Sequence, residues 1–154
     1  MKTIIFQSHS GNSAFSGAIK KLSAGDLSHS STLFVEDNCV IEAREGKGVI
    51  DTNVLAWDDS TVVKRYELTV SNKVYDSVYA WSRKQIGKKY DWTGVFAHLL
   101  PIFMKPKMGK WYCSELMVVI LAKTLGVLGD DMANRKKSPS DVDDILIMLK
   151  LKQV

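Results

Sequence analysis

The residue types best suited to covalent chemistry in this chain are one cysteine, one histidine and one glutamate. Cys113 follows Trp111 and Tyr112 and opens a strongly apolar segment, Leu116, Met117, Ile120, Leu121 and Leu125, closed by Gly126. That pattern predicts a helix with Cys113 at its start. Unpaired amides and a partial positive charge at a helix N-terminus favour a thiolate. The same amides can hold an oxyanion beside the sulfur. The competing reading is a buried cysteine that fills a gap, as most free cysteines do.

A cysteine nucleophile needs a base. His29 lies mid-strand in Asp26-Leu27-Ser28-His29-Ser30-Ser31, and a strand can hold an imidazole in one orientation. The alternative is a histidine on a solvated face. His9, in a Ser/Gly/Asn loop, is expected to be solvated, and His98, in an apolar segment, to be a satisfied core or lid residue. A third group should hold the other ring nitrogen. Glu42 is the candidate, because a hairpin with two loop residues makes opposed residues sum to an odd number. Odd-numbered His29 then shares its face with Val40, Glu42 and Arg44. An odd-length turn would put Glu42 on the wrong face, where it would be an exposed carboxylate pairing with Arg44 or Lys64. Tyr112 and Tyr90 are candidates to line the site or donate to the oxyanion, with core packing as the alternative for each.

The elements that must position these groups are read from periodicity. Thr3 to Gln7 suits a short strand. Asn12 or Ser13 can cap a helix with Phe15, Ile19 and Leu22 on one face, and Gly25 suits a left-handed end. Leu27 to Val35 and Cys39 to Arg44 read as strands joined by a turn at Glu36, Asp37 and Asn38. Val49 to Leu55 and Thr61 to Thr69 are further strands. Ser71 caps a helix with Val74, Val78 and Trp81 on one face, ending near Gly87. Tyr90 to Leu100 suits a helix stopped by Pro101. Ser114 and Glu115 fall in the first turn of the Cys113 helix as capping and dipole partners. A last helix opens at Ser138-Pro139-Ser140, with Ser140 as cap and Asp141 in its first turn. Strands followed by helices in separate blocks indicate α+β with an antiparallel sheet.

At 154 residues, with 45% hydrophobic and 25% charged residues, residues 1–154 are expected to form a single domain with no need of a metal or disulfide staple. The net charge of +4 comes without the long basic run of a nucleic-acid arm. No apolar stretch reaches the 18 or so residues of a membrane span. The apolar run at the N-terminus is shorter than a signal-peptide core. A cytoplasmic protein is expected, with export by a partner system left open. Cys39 and Cys113 make neither a disulfide framework nor a zinc spacing, so no metal or organic cofactor is implied.

Several segments in order resemble the permuted NlpC/p60 branch of the papain-like superfamily, the YiiX-like proteins related to lecithin:retinol acyltransferase. Gly25-Asp26-Leu27-Ser28-His29-Ser30 resembles its histidine strand, and Val40-Ile41-Glu42-Ala43 the acidic strand that follows. Gly87-Lys88-Lys89-Tyr90-Asp91-Trp92 resembles its Tyr-Asp segment. Tyr112-Cys113-Ser114-Glu115-Leu116 resembles the nucleophile motif, and Ser138-Pro139-Ser140-Asp141 the closing cap. One departure is the run Ser30, Ser31 and Thr32, where the family usually has an apolar strand. The resemblance implies a circularly permuted papain-like domain with nucleophile Cys113, base His29 and orienting acid Glu42.

The reaction so implied is attack of the Cys113 sulfur on a carbonyl, after His29 takes the thiol proton, and hydrolysis of the resulting thioester. Amide hydrolysis leads, with a cell-wall peptide or similar bond as the family-level substrate. One alternative is a lipid acyltransferase or thioesterase, with Val95 to Met104 as an apolar lid and Lys105, Lys107 and Lys110 meeting a membrane surface. The other is a non-catalytic binding module that keeps the fold.

Overall fold

A computed structural model describes residues 1–97, 109–127 and 137–154. The chain runs β1 (Lys2–His9), α1 (Ala14–Ser23), β2 (His29–Phe34), β3 (Cys39–Arg44), β4 (Gly48–Asn53), a 3-10 turn (Val54–Ala56) and β5 (Val62–Val70). It continues with α2 (Asn72–Arg83), α3 (Trp92–Ala97), α4 (Cys113–Thr124), α5 (Pro139–Met148) and β6 (Lys152–Gln153). The six strands form one antiparallel sheet in the order β4-β3-β2-β1-β5-β6. The fold class is α+β, as the block of strands followed by helices predicts.

Alternation along the strands gives the sheet two unlike faces. Ile4, Phe6, Phe34, Ile41 and Ala43 belong to one buried cluster with Leu116, Met117, Ile120 and Leu121 of α4. Helix α4 lies on β2 and β3, with α2 and α5 on its flanks. All its residues except Lys123 are buried, as a helix that is apolar all round should be. The opposite face carries Gln7 and His9 from β1, His29 and Ser31 from β2, and Val40 and Glu42 from β3, by the register Gln7↔Ser31, His9↔His29 and Leu33↔Val40.

Four local expectations need correction. The strand begins at His29 rather than at Leu27, so the histidine stands at the sheet's end and not in mid-strand. At the end of α1 the left-handed residue is Ala24 (φ 48°), not Gly25. Gly25 is needed for another reason: a Cβ there would lie 2.1 Å from Ser140 Oγ. The cap of α5 is Ser138, not Ser140. Pro139 takes the first helical position, and Ser138 and Asp141 form a reciprocal capping box. The helix expected over Tyr90 to Leu100 begins at Trp92 and is described to Ala97. His98, Lys105, Lys107 and most of the lid segment lie outside the described residues. Ser13 and Ser71 cap α1 and α2 as expected, and among the described residues no helix is long and apolar enough to cross a membrane.

Candidate active site

Helix α4 starts abruptly, from Tyr112 in an extended conformation (φ −104°) whose side chain makes no cap. Cys113 is therefore the first helical residue, and it is 3% exposed. The backbone amides of Ser30 and Ser114 donate to its sulfur, so both the strand end and the helix end aim N–H groups at one atom. The Glu115 side chain reaches back to the Tyr112 amide, half of a capping box, as its place in the first turn predicts. Ser114 does not cap: its hydroxyl donates to the Lys137 carbonyl at 2.6 Å and ties α4 to the segment leading into α5.

The His29 imidazole stands between sulfur and carboxylate. Its Nε2 donates to Glu42 Oε2 at 2.5 Å, and the ring also hydrogen-bonds Cys113, which leaves Nδ1 to face the sulfur. The β2–β3 register, Thr32↔Ile41 and Phe34↔Cys39, sums to an odd number. Glu42 thus falls on the His29 face, one diagonal away. The turn holds four residues, which keeps the required parity. Glu42 is 1% exposed and fully engaged: Oε1 takes Arg44 Nη2 at 3.0 Å and the Trp57 indole N–H at 3.3 Å.

Burial would discharge all three groups, but their mutual charge outweighs it. Burial pulls His29 down, yet the adjoining Cys113 sulfur and Glu42 raise it to about 10. Burial pushes Cys113 up, yet the His29 charge and hydrogen bond, with the two amides, bring it below the ordinary thiol value. Glu42, also opposed by burial, is held below the usual carboxylate range by His29, then Arg44 and Trp57. All three shifts run toward the charged forms, a thiolate, an imidazolium and a carboxylate.

Of the two tyrosines, Tyr90 is the one brought to the sulfur. Burial and then the Cys113 charge push its phenol far up, so it stays protonated and donates to that atom. A strap holds it there: Val49 donates to the Lys88 carbonyl at 2.8 Å, Gly87 to the Val49 carbonyl at 2.9 Å, and Asp91 to the Trp111 carbonyl at 3.0 Å. The Tyr112 hydroxyl accepts from the Lys137 amide at 3.3 Å, and its ring lies buried in the core cluster.

Two cavities meet at this constellation. An open cleft of about 360 Å³ is lined by Ser16, Ser28, His29, Arg44, Lys47 and Tyr90. A small pocket of about 30 Å³, walled by Ile19, Val95, Tyr90 and Tyr112, reaches Cys113. The His29 side chain is 23% exposed, so the base is open to the cleft while the sulfur is sheltered. Among the described residues no group of three or more His, Cys, Asp or Glu could hold a metal ion.

His9 and Trp57 belong to this site and are not found from the sequence. His9 ends β1 and is 2% exposed, not solvated in a loop. Its Nδ1 bonds Thr61 Oγ1 at 3.1 Å and its Nε2 bonds Ser31 Oγ at 2.8 Å. Burial, then the charge on His29, lower it to about 3, so it is neutral. The available signal is the alternation Thr3, Ile5, Gln7, His9, which carries the strand two residues beyond the apolar run. Trp57 lies just after the edge strand and has no pattern of its own. No protein-family model matches the chain, and no curated protein matches it.

Proposed function

We propose that this chain is a cysteine hydrolase that cleaves an amide bond through a Cys113-His29-Glu42 triad on a circularly permuted papain-like domain. The observation that carries it is the placement of one imidazole between a buried carboxylate at 2.5 Å and a buried sulfur, at the mouth of an open cleft. His29, holding the proton taken from the Cys113 thiol, orients toward the substrate from the cleft side. The thiolate attacks the carbonyl carbon, and the oxyanion develops near the Ser114 amide and the Tyr90 hydroxyl. The imidazolium protonates the leaving amine, and water then hydrolyses the thioester with His29 as base. Of the two candidates, Tyr90 rather than Tyr112 is the side-chain donor in this scheme. The cleft admits a peptide or other amide from the His29 side.

The test is alkylation of Cys113 by iodoacetamide across pH, read peptide by peptide, in wild type, His29→Ala and Glu42→Gln. Fast labelling well below the ordinary thiol pKa of about 8.5 is expected in wild type. His29→Ala should return the midpoint to that of a free thiol, and Glu42→Gln should move it part of the way. A folded wild type that labels no faster than a free thiol would overturn the triad and leave a non-catalytic binding module.

A further inference from the structure

Beside the triad stands a second imidazole that the hydrolase scheme does not use. The His9 and His29 rings approach to 5.0 Å between centroids at 63°. The cross-strand register pairs their Cα atoms directly. His9 is itself clamped, by Thr61 on Nδ1 and Ser31 on Nε2, and Ser31 passes the chain on to Gln7 Oε1 at 3.0 Å. On its other side Trp57 meets it edge-to-face at 5.5 Å and 89°. The same indole donates to Glu42. The four side chains His29, Glu42, Trp57 and His9 thus close a ring of contacts around the base.

We propose that His9 is a positioning residue, a neutral imidazole wall that fixes the plane of the His29 ring so that one nitrogen meets Glu42 and the other the Cys113 sulfur. This rests on the triad reading. A base with two partners on its two ring nitrogens has one productive orientation, and a ring still 23% exposed needs a rigid neighbour to keep it. Phe or Leu would offer a wall as well, but neither could be locked by two hydrogen bonds at the end of a strand. The charged and titratable groups facing the pair are Glu42 and Arg44 from β3, Arg65 from β5 and Cys113 from α4. Charge on one imidazole at this distance disfavours charge on the other, and the carboxylate and sulfur favour it on His29.

The experiment is the pH profile of Cys113 alkylation in wild type, His9→Ala and Thr61→Val, with thermal unfolding followed in parallel. Thr61→Val removes the Nδ1 clamp with little change of shape and decides the matter alone if His9→Ala does not fold. In His9→Ala the labelling midpoint is expected to rise by about one pH unit, roughly a tenfold loss of rate in the acid limb. Thr61→Val should shift it the same way by less. Folded variants that keep the wild-type midpoint while melting earlier would overturn the proposal and leave the triad standing. A wild-type midpoint already at that of a free thiol would overturn both.

Discussion

At the scale of single residues, one carboxyl behind Cys113 sets a pH dependence of its own. Asp91 is fully buried and Glu115 nearly so, and both Asp91 oxygens and Glu115 Oε2 have no hydrogen-bond partner among the described residues. Burial, and then the nearby Asp91, push the Glu115 carboxyl from 4.5 up to about 7. Between those values the native state keeps a proton that the unfolded chain releases. The contribution of Glu115 to stability should therefore fall as pH rises from about 4.5 to 7 and level off above, by an amount on the order of 2–3 kcal/mol. Glu115→Gln retains an acceptor for the Tyr112 amide and removes the titration. Because buried neutral His9, lowered to about 3, makes stability rise over part of the same range, the fall is read as a difference: between pH 5 and pH 8 in urea unfolding, wild type should lose stability relative to the variant. Equal changes in both would mean that Glu115 is ionised throughout.

At the scale of elements, the strap from Gly87 to Asp91 couples the sheet edge to the Cys113 site, and one glycine permits it. Gly48 has φ +79°, and a Cβ there would lie 2.3 Å from the Lys88 carbonyl oxygen. Gly46 has φ +73° with nothing within 4 Å. Gly46→Ala thus carries backbone strain alone, whereas Gly48→Ala adds a clash with main chain that cannot rotate away. We expect Gly48→Ala to cost about 2–3 kcal/mol and Gly46→Ala about 1 kcal/mol, read as the difference in melting temperature. Gly48→Ala should also weaken the hold of Tyr90 on Cys113.

Much at this scale is legible in the sequence, and the exceptions have physical causes. The parity of a hairpin places Glu42 beside His29, because strand side chains alternate whatever the turn's detailed shape. Apolar spacing marks α4 and puts Cys113 at its first residue. Caps are less legible where two serines flank a proline: Pro139 suits the first helical position because it needs no N–H donor, which selects Ser138 over Ser140. His9 escapes notice because its partners, Thr61, Ser31 and Trp57, lie on three other segments, and a polar strand end looks like a loop until those segments are assembled. Tyr90 and Tyr112 both lie in the core cluster, and the sequence does not show that the strap turns Tyr90 toward the sulfur.

For the whole molecule, the two ends of the chain are joined by one carboxylate. Asp143 in α5 is 3% exposed. Its Oδ1 accepts from the Ser8 and Tyr66 hydroxyls at 2.9 Å each, and its Oδ2 from Lys64 Nζ at 2.6 Å. Strands β1 and β5 are thereby fastened to the last helix, across 135 residues in the case of Ser8. Burial and then Asp143 push the Tyr66 phenol up, so it remains a donor. Lys64 is 37% exposed, so its ion pair is partly screened and contributes modestly. The two buried hydroxyls carry more of the effect, since each loses its acceptor when the carboxylate is removed. Asp143→Ala should therefore destabilise by about 3–4 kcal/mol, and Asp143→Asn, which keeps an acceptor oxygen, by about 1–2 kcal/mol. Denaturant titration should show the midpoint falling with an unchanged slope. The pH midpoint of Cys113 alkylation should stay where it is in both folded variants, because Ser8 and Asp143 lie on the helix-covered face and His29 and Glu42 on the other. A shifted midpoint would mean that the two faces are coupled through β1, whose residues Ser8 and His9 are adjacent.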